Sequence, residues 1–202
     1  MPRTVDHDER RSMILEAFVT VAVREGLHAV SMRSVAAEAG ISLRLVQYYF
    51  KTKTGLMQAG LTMLDRLSNE RWANRAANFQ KPSTATEILK ALFVEALPTD
   101  SRRRDFHLLW MSYAVLGMTD AEIANCVFIE GPNQLLQRIA SLLKQGQATG
   151  EFGAELGADS EAAILLGLLH GLGTAVMIGL QSGETALELL HLHLNRLMKP
   201  NA

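Results

Sequence analysis

Apolar residues recur along this chain every three or four positions and nowhere settle into sustained apolar–polar alternation, so the periodicity calls for helices and leaves no strand. A chain patterned in that way folds by packing helix on helix. Its 202 residues, 48% of them hydrophobic, suffice for one or two compact units with a sizeable core. The punctuation agrees. Pro2, Pro82, Pro98 and Pro200 stand at ends or between periodic segments, and Pro132 opens or kinks a helix. Ile14, Ala17, Phe18, Val21 and Ala22 form one face of a first helix that Gly26 ends. Ser31 caps a short second helix with Met32, Val35, Ala36 and Ala39 as its stripe, and Gly40 stops it. Ser42 caps a third helix that runs to about Phe50, and from Thr52 a longer one turns Leu56, Gly60, Met63, Leu64 and Leu67 inward. Further helices are expected over 84–97, 102–117, 119–147, 158–180 and 184–198, with a glycine-bearing loop from Thr149 to Ala158.

Charge is distributed unevenly over these elements. Between Ser31 and Gly60, Arg33, Arg44, Lys51 and Lys53 stand against Glu38 alone, a net +3 that leaves −4 for the rest of a chain whose total is −1. A basic island on an otherwise acidic protein suits phosphate binding. The two short helices joined by Ala39-Gly40-Ile41-Ser42 have the dimensions of a helix-turn-helix, whose second helix enters the major groove. With Val46 as the buried reference and about 100° per residue, Leu43, Tyr49 and Phe50 fall on its side, while Arg44, Leu45, Gln47 and Tyr48 fall on the opposite arc. Arg suits bidentate contact with guanine, Gln with adenine, Leu meets a thymine methyl, and Tyr donates to phosphate. Lys51 and Lys53 lie just beyond and would neutralise phosphates, and Thr52 caps a helix whose N-terminus itself favours an anion.

The ordered run from Ser31 to Leu56, with Ala39-Gly40-Ile41-Ser42, then Tyr48-x-Phe50-Lys51-x-Lys53, then Leu56, resembles the signature of the TetR family of regulators. The Gly-Glu loop and the glycine-containing helix of the second half more weakly resemble the branch that regulates choline metabolism. The resemblance implies DNA contacts at Ser31, Arg33, Ser42, Arg44, Leu45, Gln47, Tyr48, Tyr49 and Lys53. It departs from the usual pattern where Arg44 replaces a small residue, Gln47 an aromatic, Tyr49 a histidine, and Thr54-Gly55 an acidic helix start. The expected architecture is all-α with about nine helices. Residues 1–53 form an N-terminal three-helix, helix-turn-helix DNA-binding domain and 54–202 a helical ligand-binding and dimerisation domain.

The second half carries one uncharged run, Ala162 to Leu180, long enough to span a membrane. Its flanks are acidic (Asp159, Glu161, Glu184) and no Trp or Tyr marks an interface, so a helix buried on all sides is expected, with no membrane partner. Glycines at 167, 171, 173 and 179 weaken that helix by about 1 kcal/mol each relative to Ala, which close approach of another helix would offset. Gly167 and Gly171, with Leu187, Leu190 and Leu194 of the last helix, are therefore the expected homodimer interface. Mixed aromatic, methionine and polar residues (Met63, His107, Trp110, Met111, Tyr113, Asn125, Phe128, His170) are the candidates for a small-molecule effector pocket. Arg102-Arg103-Arg104 reads as a solvated helix start, and His191 and His193 diverge too far for a metal pair.

No nucleophile elbow, no phosphate-cradling loop after a strand and no metal-spaced cluster is present, so neither an enzyme nor a cofactor or metal is expected. Cys126 is the single cysteine, and the apolar stretch behind Arg10-Arg11 is broken by Glu16, so a cytoplasmic protein without a signal peptide is expected. The function expected is a sequence-specific DNA-binding regulator: a homodimeric repressor on a (pseudo)palindromic double-stranded operator, released by a small-molecule effector. The competing reading, a helical protein-interaction adaptor with a degenerate helix-turn-helix, leaves the outward Arg44, Gln47 and Tyr48 without a purpose.

Overall fold

In the computed structural model, which describes residues 7–77, 83–119 and 130–198, the described residues form nine α-helices and no strand, as the periodicity requires. They pack as two compact units, each with its own core. One comprises the described residues up to Leu67 with the part of the sixth helix from Leu108 onward; the other comprises Ser68–His107 and the residues from Glu130 onward.

In the first unit, α1 (His7–Glu25) buries Ile14, Phe18, Val21 and Ala22, one face of a 3.6-residue repeat, and Gly26 ends it in the left-handed region at φ 87°. A single 3-10 turn, Leu27–Ala29, leads to α2 (Met32–Glu38). Ser31 and Ser34 form a reciprocal capping box: Ser34 N–H donates to Ser31 Oγ at 3.0 Å and Ser31 N–H to Ser34 Oγ at 2.9 Å. Gly40, at φ 64°, closes α2 with a double bond pattern, Ile41 N–H to Ala36 O at 3.0 Å and Gly40 N–H to Ala37 O at 3.2 Å. Leu45 N–H then donates to Ser42 Oγ, and α3 (Leu43–Phe50) begins. Thr52 Oγ1 accepts from Gly55 N–H at 3.0 Å at the head of α4 (Lys53–Ala77), which buries Leu56, Met57, Gly60, Leu61 and Leu64. Met63 and Leu67, expected inward, are half-buried. A Cβ at Gly60 would strike the Phe18 ring, so α1 and α4 meet most closely there. The Tyr113 hydroxyl of α6 (Ser101–Thr119) donates to Met57 O at 2.7 Å within this core.

In the second unit, α5 (Ala85–Ala96), α7 (Glu130–Thr149), α8 (Ala158–Met177) and α9 (Gly183–Leu197) surround a core that includes Leu89, Phe93, Ile139, Leu143, Leu165, Leu169, Leu190 and Leu194. The expected helix over 119–147 is seen as α7 from Glu130; residues 120–129 lie outside the described residues. α8 stops three residues earlier than expected. Gly179 is not a weak link inside it but its terminator, at φ 75°, with Leu180 N–H donating to Ala175 O at 2.9 Å. α8 is long and apolar enough to cross a membrane, yet Ala162, Leu165, Leu169, Gly173 and Val176 are buried within the unit.

The Gly150-Glu151 turn joins distant parts of this unit. Gly150, at φ 83°, ends α7, and Glu151 then reaches the N-terminus of α5, accepting from Ala85 N–H at 3.0 Å and Thr86 N–H at 2.9 Å. Phe152 lies so close to Gly146 that a Cβ there would overlap its ring. Gln147 Nε2 donates to the carbonyls of Gly153, Ala154 and Leu156, fixing the loop that follows. Arg103 is not a solvated helix start. Its side chain is 15% exposed, donates to Val94 O and Thr99 Oγ1, and pairs at 3.5 Å with Glu95, which Arg71 and Arg75 of α4 also engage. Burying the Glu95 carboxylate requires such partners.

Burial alone would raise the Glu151 pKa, but the Thr86 and Ala85 amides outweigh it and hold the carboxyl below its ordinary value. A carboxylate lowered in the folded state contributes stability that is full above its unfolded pKa and fades as pH falls through the folded one. Glu151→Gln should therefore cost about 1–2 kcal/mol at neutral pH, the worth of charge-assisted helix capping. Denaturant titrations at several pH values should show that gap closing toward acid. A gap that stays constant into acid would remove the charge from the account.

Candidate nucleic-acid interface

Val46 and Phe50 are buried and anchor α3, so its opposite arc turns outward. Arg44, Gln47 and Tyr48 are exposed there, Tyr48 at 59%, while Leu43, Leu45 and Tyr49 are half-buried at the margins. Arg33 stands exposed on α2, with Ser31 and Ser42 exposed at the two N-caps. The caps limit the serines differently. Ser31 Oγ accepts from Ser34 N–H and lies 3.1 Å from Ser34 Oγ, so its first task is to build the capping box. Ser42 Oγ accepts from Leu45 N–H, which leaves its hydroxyl hydrogen to donate outward.

Beyond α3 the chain turns sharply. Lys51 adopts φ 61° and ψ −57°, the centre of a γ-turn in which Thr52 N–H donates to Phe50 O at 2.6 Å, a strained conformation that a side chain rarely takes. Its N–H still donates to Gln47 O at 3.0 Å, and its Nζ lies 5.3 Å from the Tyr48 ring centroid. The turn places Lys51, Thr52 and Lys53, all exposed, immediately after the outward face of α3. It also explains Gly55: a Cβ there would collide with the Phe50 carbonyl. On α1, His7 Nδ1 lies 2.9 Å from the Tyr49 hydroxyl and the Arg11 guanidinium lies 4.8 Å from the Phe50 ring centroid. No local spacing relates these residues, so the sequence pattern carries no signal for them. The surface as a whole offers hydrogen-bond donors and positive charge, the chemistry of base edges and phosphates.

The remaining candidates separate. Tyr113 is fully buried in the first unit, and its hydroxyl hydrogen is committed to Met57 O. Met63 lines an open cleft of about 440 Å3 between α1 and α4, with Leu15 and Ala59. His107 and His170 lie in the second unit. The His107 ring packs so closely on Gly173 that a Cβ there would overlap it, and burial, with His170 nearby, pushes its pKa down to about 4. Burial lowers that of His170 as well. Both are therefore neutral near pH 7, able to donate and accept without charge. Trp110 and Met111 are half-buried on α6, and Asn125 and Phe128 lie outside the described residues.

Gly167 and Gly171 are exposed on α8, and an added Cβ at either would meet nothing among the described residues. Leu187 is half-buried against its own core. Leu190 and Leu194 are 0% exposed within their own unit, which corrects the leucine stripe expected for a partner: a side chain already sealed in the core has no surface to offer. The large apolar side chains of α8 and α9 that remain exposed are Ile164, Leu189 and Leu192. His193 faces Glu161 at 3.2 Å while His191 senses Lys90, so the two histidines do diverge.

Two family models match the chain. One, described as bacterial regulatory proteins of the tetR family, covers residues 14–59; the other, described as BetI-type transcriptional repressor, C-terminal, covers residues 85–199. The HTH-type transcriptional regulator PksA of Bacillus subtilis (strain 168) is 27% identical over 56% of this chain and 54% of its own length. The regulator BetI of Vibrio atlanticus (strain LGP32) is 37% identical over 48% of this chain and 42% of its own. The chain thus spans about half the length of these curated relatives. Among solved structures, a Saccharomonospora viridis protein crystallised in complex with choline is similar at a TM-score of 0.85, with 25% identity over 95% of this chain and 98% of that one. A TetR transcription regulator from Haloarcula marismortui shares the fold at a TM-score of 0.83, with 17% identity over 95% of this chain and 100% of that one.

The geometry separates readers of bases from holders of phosphate. Arg44→Ala should cost about 1–3 kcal/mol on a specific site and relax preference at one base pair per half-site. Lys53→Ala should weaken all sequences about equally and flatten the salt dependence. Anisotropy titrations on specific and random duplexes distinguish the two. Equal weakening of both duplexes by Arg44→Ala would deny it a base-reading role.

Proposed function

The chain belongs to the TetR family of bacterial regulatory proteins, with a C-terminal region of the BetI type, and from that membership we propose that it is a homodimeric, sequence-specific DNA-binding repressor that a small-molecule effector releases from its operator. The observation that carries the reading is the outward row of Arg44, Gln47 and Tyr48 on a helix whose other face is buried at Val46 and Phe50. Residues 1–53 hold the DNA through Ser31, Arg33, Ser42, Arg44, Leu45, Gln47, Tyr48, Tyr49, Lys51, Thr52 and Lys53, and residues 54–202 dimerise and take the effector. The protein works in the cytoplasm, where the DNA is.

Two-fold symmetry follows from the target. A palindromic operator presents two half-sites about 34–36 Å apart or a multiple of that, and a dimer presents two reading helices to match. The interface we assign is the exposed face of α8 and α9: Gly167, Gly171, Ile164, Leu189 and Leu192, with Leu187 at its edge. Two glycines weaken α8 by about 1 kcal/mol each, and among the described residues nothing would meet a Cβ at either. A partner helix crossing there supplies the compensation.

The effector site we assign lies in the second unit around the neutral His107 and His170. The choline found in the Saccharomonospora viridis neighbour supports a small organic molecule as the class of ligand. An effector acts only by its differential affinity for the two states, and operator DNA must weaken effector binding by the same factor.

The reading is tested with the duplex upstream of the protein's own gene, which should bind with an affinity that falls steeply with salt. Gly171→Leu should abolish or weaken the dimer in micromolar sedimentation and lose operator affinity with it. A Cβ at Gly171 meets nothing among the described residues, and an unchanged melting temperature in the Gly171→Leu variant would show that the loss reports the partner and not misfolding. An intact dimer with full affinity would place the interface elsewhere.

A further inference from the structure

The last turn of α3 is braced by the first turn of α1. His7 Nδ1 lies 2.9 Å from the Tyr49 hydroxyl, with the ring centroids 5.9 Å apart, and Arg11 covers Phe50 at 4.8 Å. Positions 7, 10 and 11 share one helix face, so Arg10 lies on the side that meets α3. His7, Arg10 and Arg11 are all exposed.

The chemistry of the pair limits what Tyr49 can do. A phenol has one hydrogen to donate. When a neutral imidazole accepts it at Nδ1, Tyr49 keeps only lone pairs for DNA, and a phosphate oxygen also brings only lone pairs. When Nδ1 carries a hydrogen, it donates to the phenol oxygen and the O–H turns to an acceptor in front of it. Only this second arrangement lets Tyr49 donate to phosphate.

We propose that His7 is a positioning residue for DNA binding: with its Nδ1–H donating to the Tyr49 phenol oxygen, it holds the ring and turns the phenol's hydrogen toward an incoming phosphate. The inference rests on the DNA-binding reading above.

The test uses the full chain and a random-sequence duplex at low salt, since a phosphate contact needs no specific site. His7→Ala and Tyr49→Phe should each weaken binding about three- to tenfold, the worth of one hydrogen bond, and the double variant no more than either alone. His7→Gln, whose side-chain N–H can donate to the phenol oxygen, should restore affinity when Tyr49 is present and not in the Tyr49→Phe background. Additive losses, or no rescue by His7→Gln, would overturn the proposal. If Lys53→Ala also leaves affinity unchanged, the failure lies in the DNA-binding reading itself and the proposal falls with it. Unchanged melting temperatures across the set separate each of these outcomes from loss of fold.

Discussion

Everything this molecule presents to DNA depends on the burial of Val46 and Phe50 beneath an eight-residue helix. A helix that short has no stability of its own in water. Burying two large apolar side chains contributes about 1.5–3 kcal/mol each and fixes the rotation of α3 about its axis. With the rotation fixed, Arg44, Gln47 and Tyr48 have nowhere to point but outward. The serine caps and the left-handed Gly40 set where the helix starts and how it turns from α2. The γ-turn at Lys51 bends the chain so that its next charges follow the same face. Charge on this surface is therefore a consequence of packing underneath it.

Glycine serves three different ends in the second half. Gly150 and Gly179 terminate helices through positive φ. Gly146 and Gly173 are buried because Phe152 and His107 occupy the space a Cβ would need. Gly167 and Gly171 have neither reason among the described residues. Helix propensity alone charges all of them alike, and only the surroundings tell them apart. The two unexplained glycines are those that an interface between subunits would use.

The sequence was most legible where structure is local. Ser31, Gly40, Ser42 and Thr52 mark their helix ends because a cap acts within three or four residues, and the wheel of α3 needed only Val46 as its reference. The legibility failed where one pattern has two outcomes or where partners lie far apart in the chain. Leu190 and Leu194 make the same stripe whether they face their own core or a second subunit, and they face the core. Arg103 sits in a run of three arginines that composition reads as solvated, yet Glu95 and the Val94 carbonyl hold it. Glu151 caps a helix that begins 66 residues earlier, and His7 meets Tyr49 across 42. Gly179 was legible and misread: its position among other helical glycines concealed a terminator.

The central claim is that two copies of α3 read a two-fold symmetric DNA site through their outward rows. Selecting duplexes from a random pool with the full-length protein tests it most directly. The account predicts enrichment of an inverted repeat whose half-site centres lie about 10–10.5 base pairs apart or a multiple of that, with loss of preference at one position per half-site in the Arg44→Ala variant. A pool that returns with no enriched sequence, or with a single half-site lacking symmetry, would contradict it.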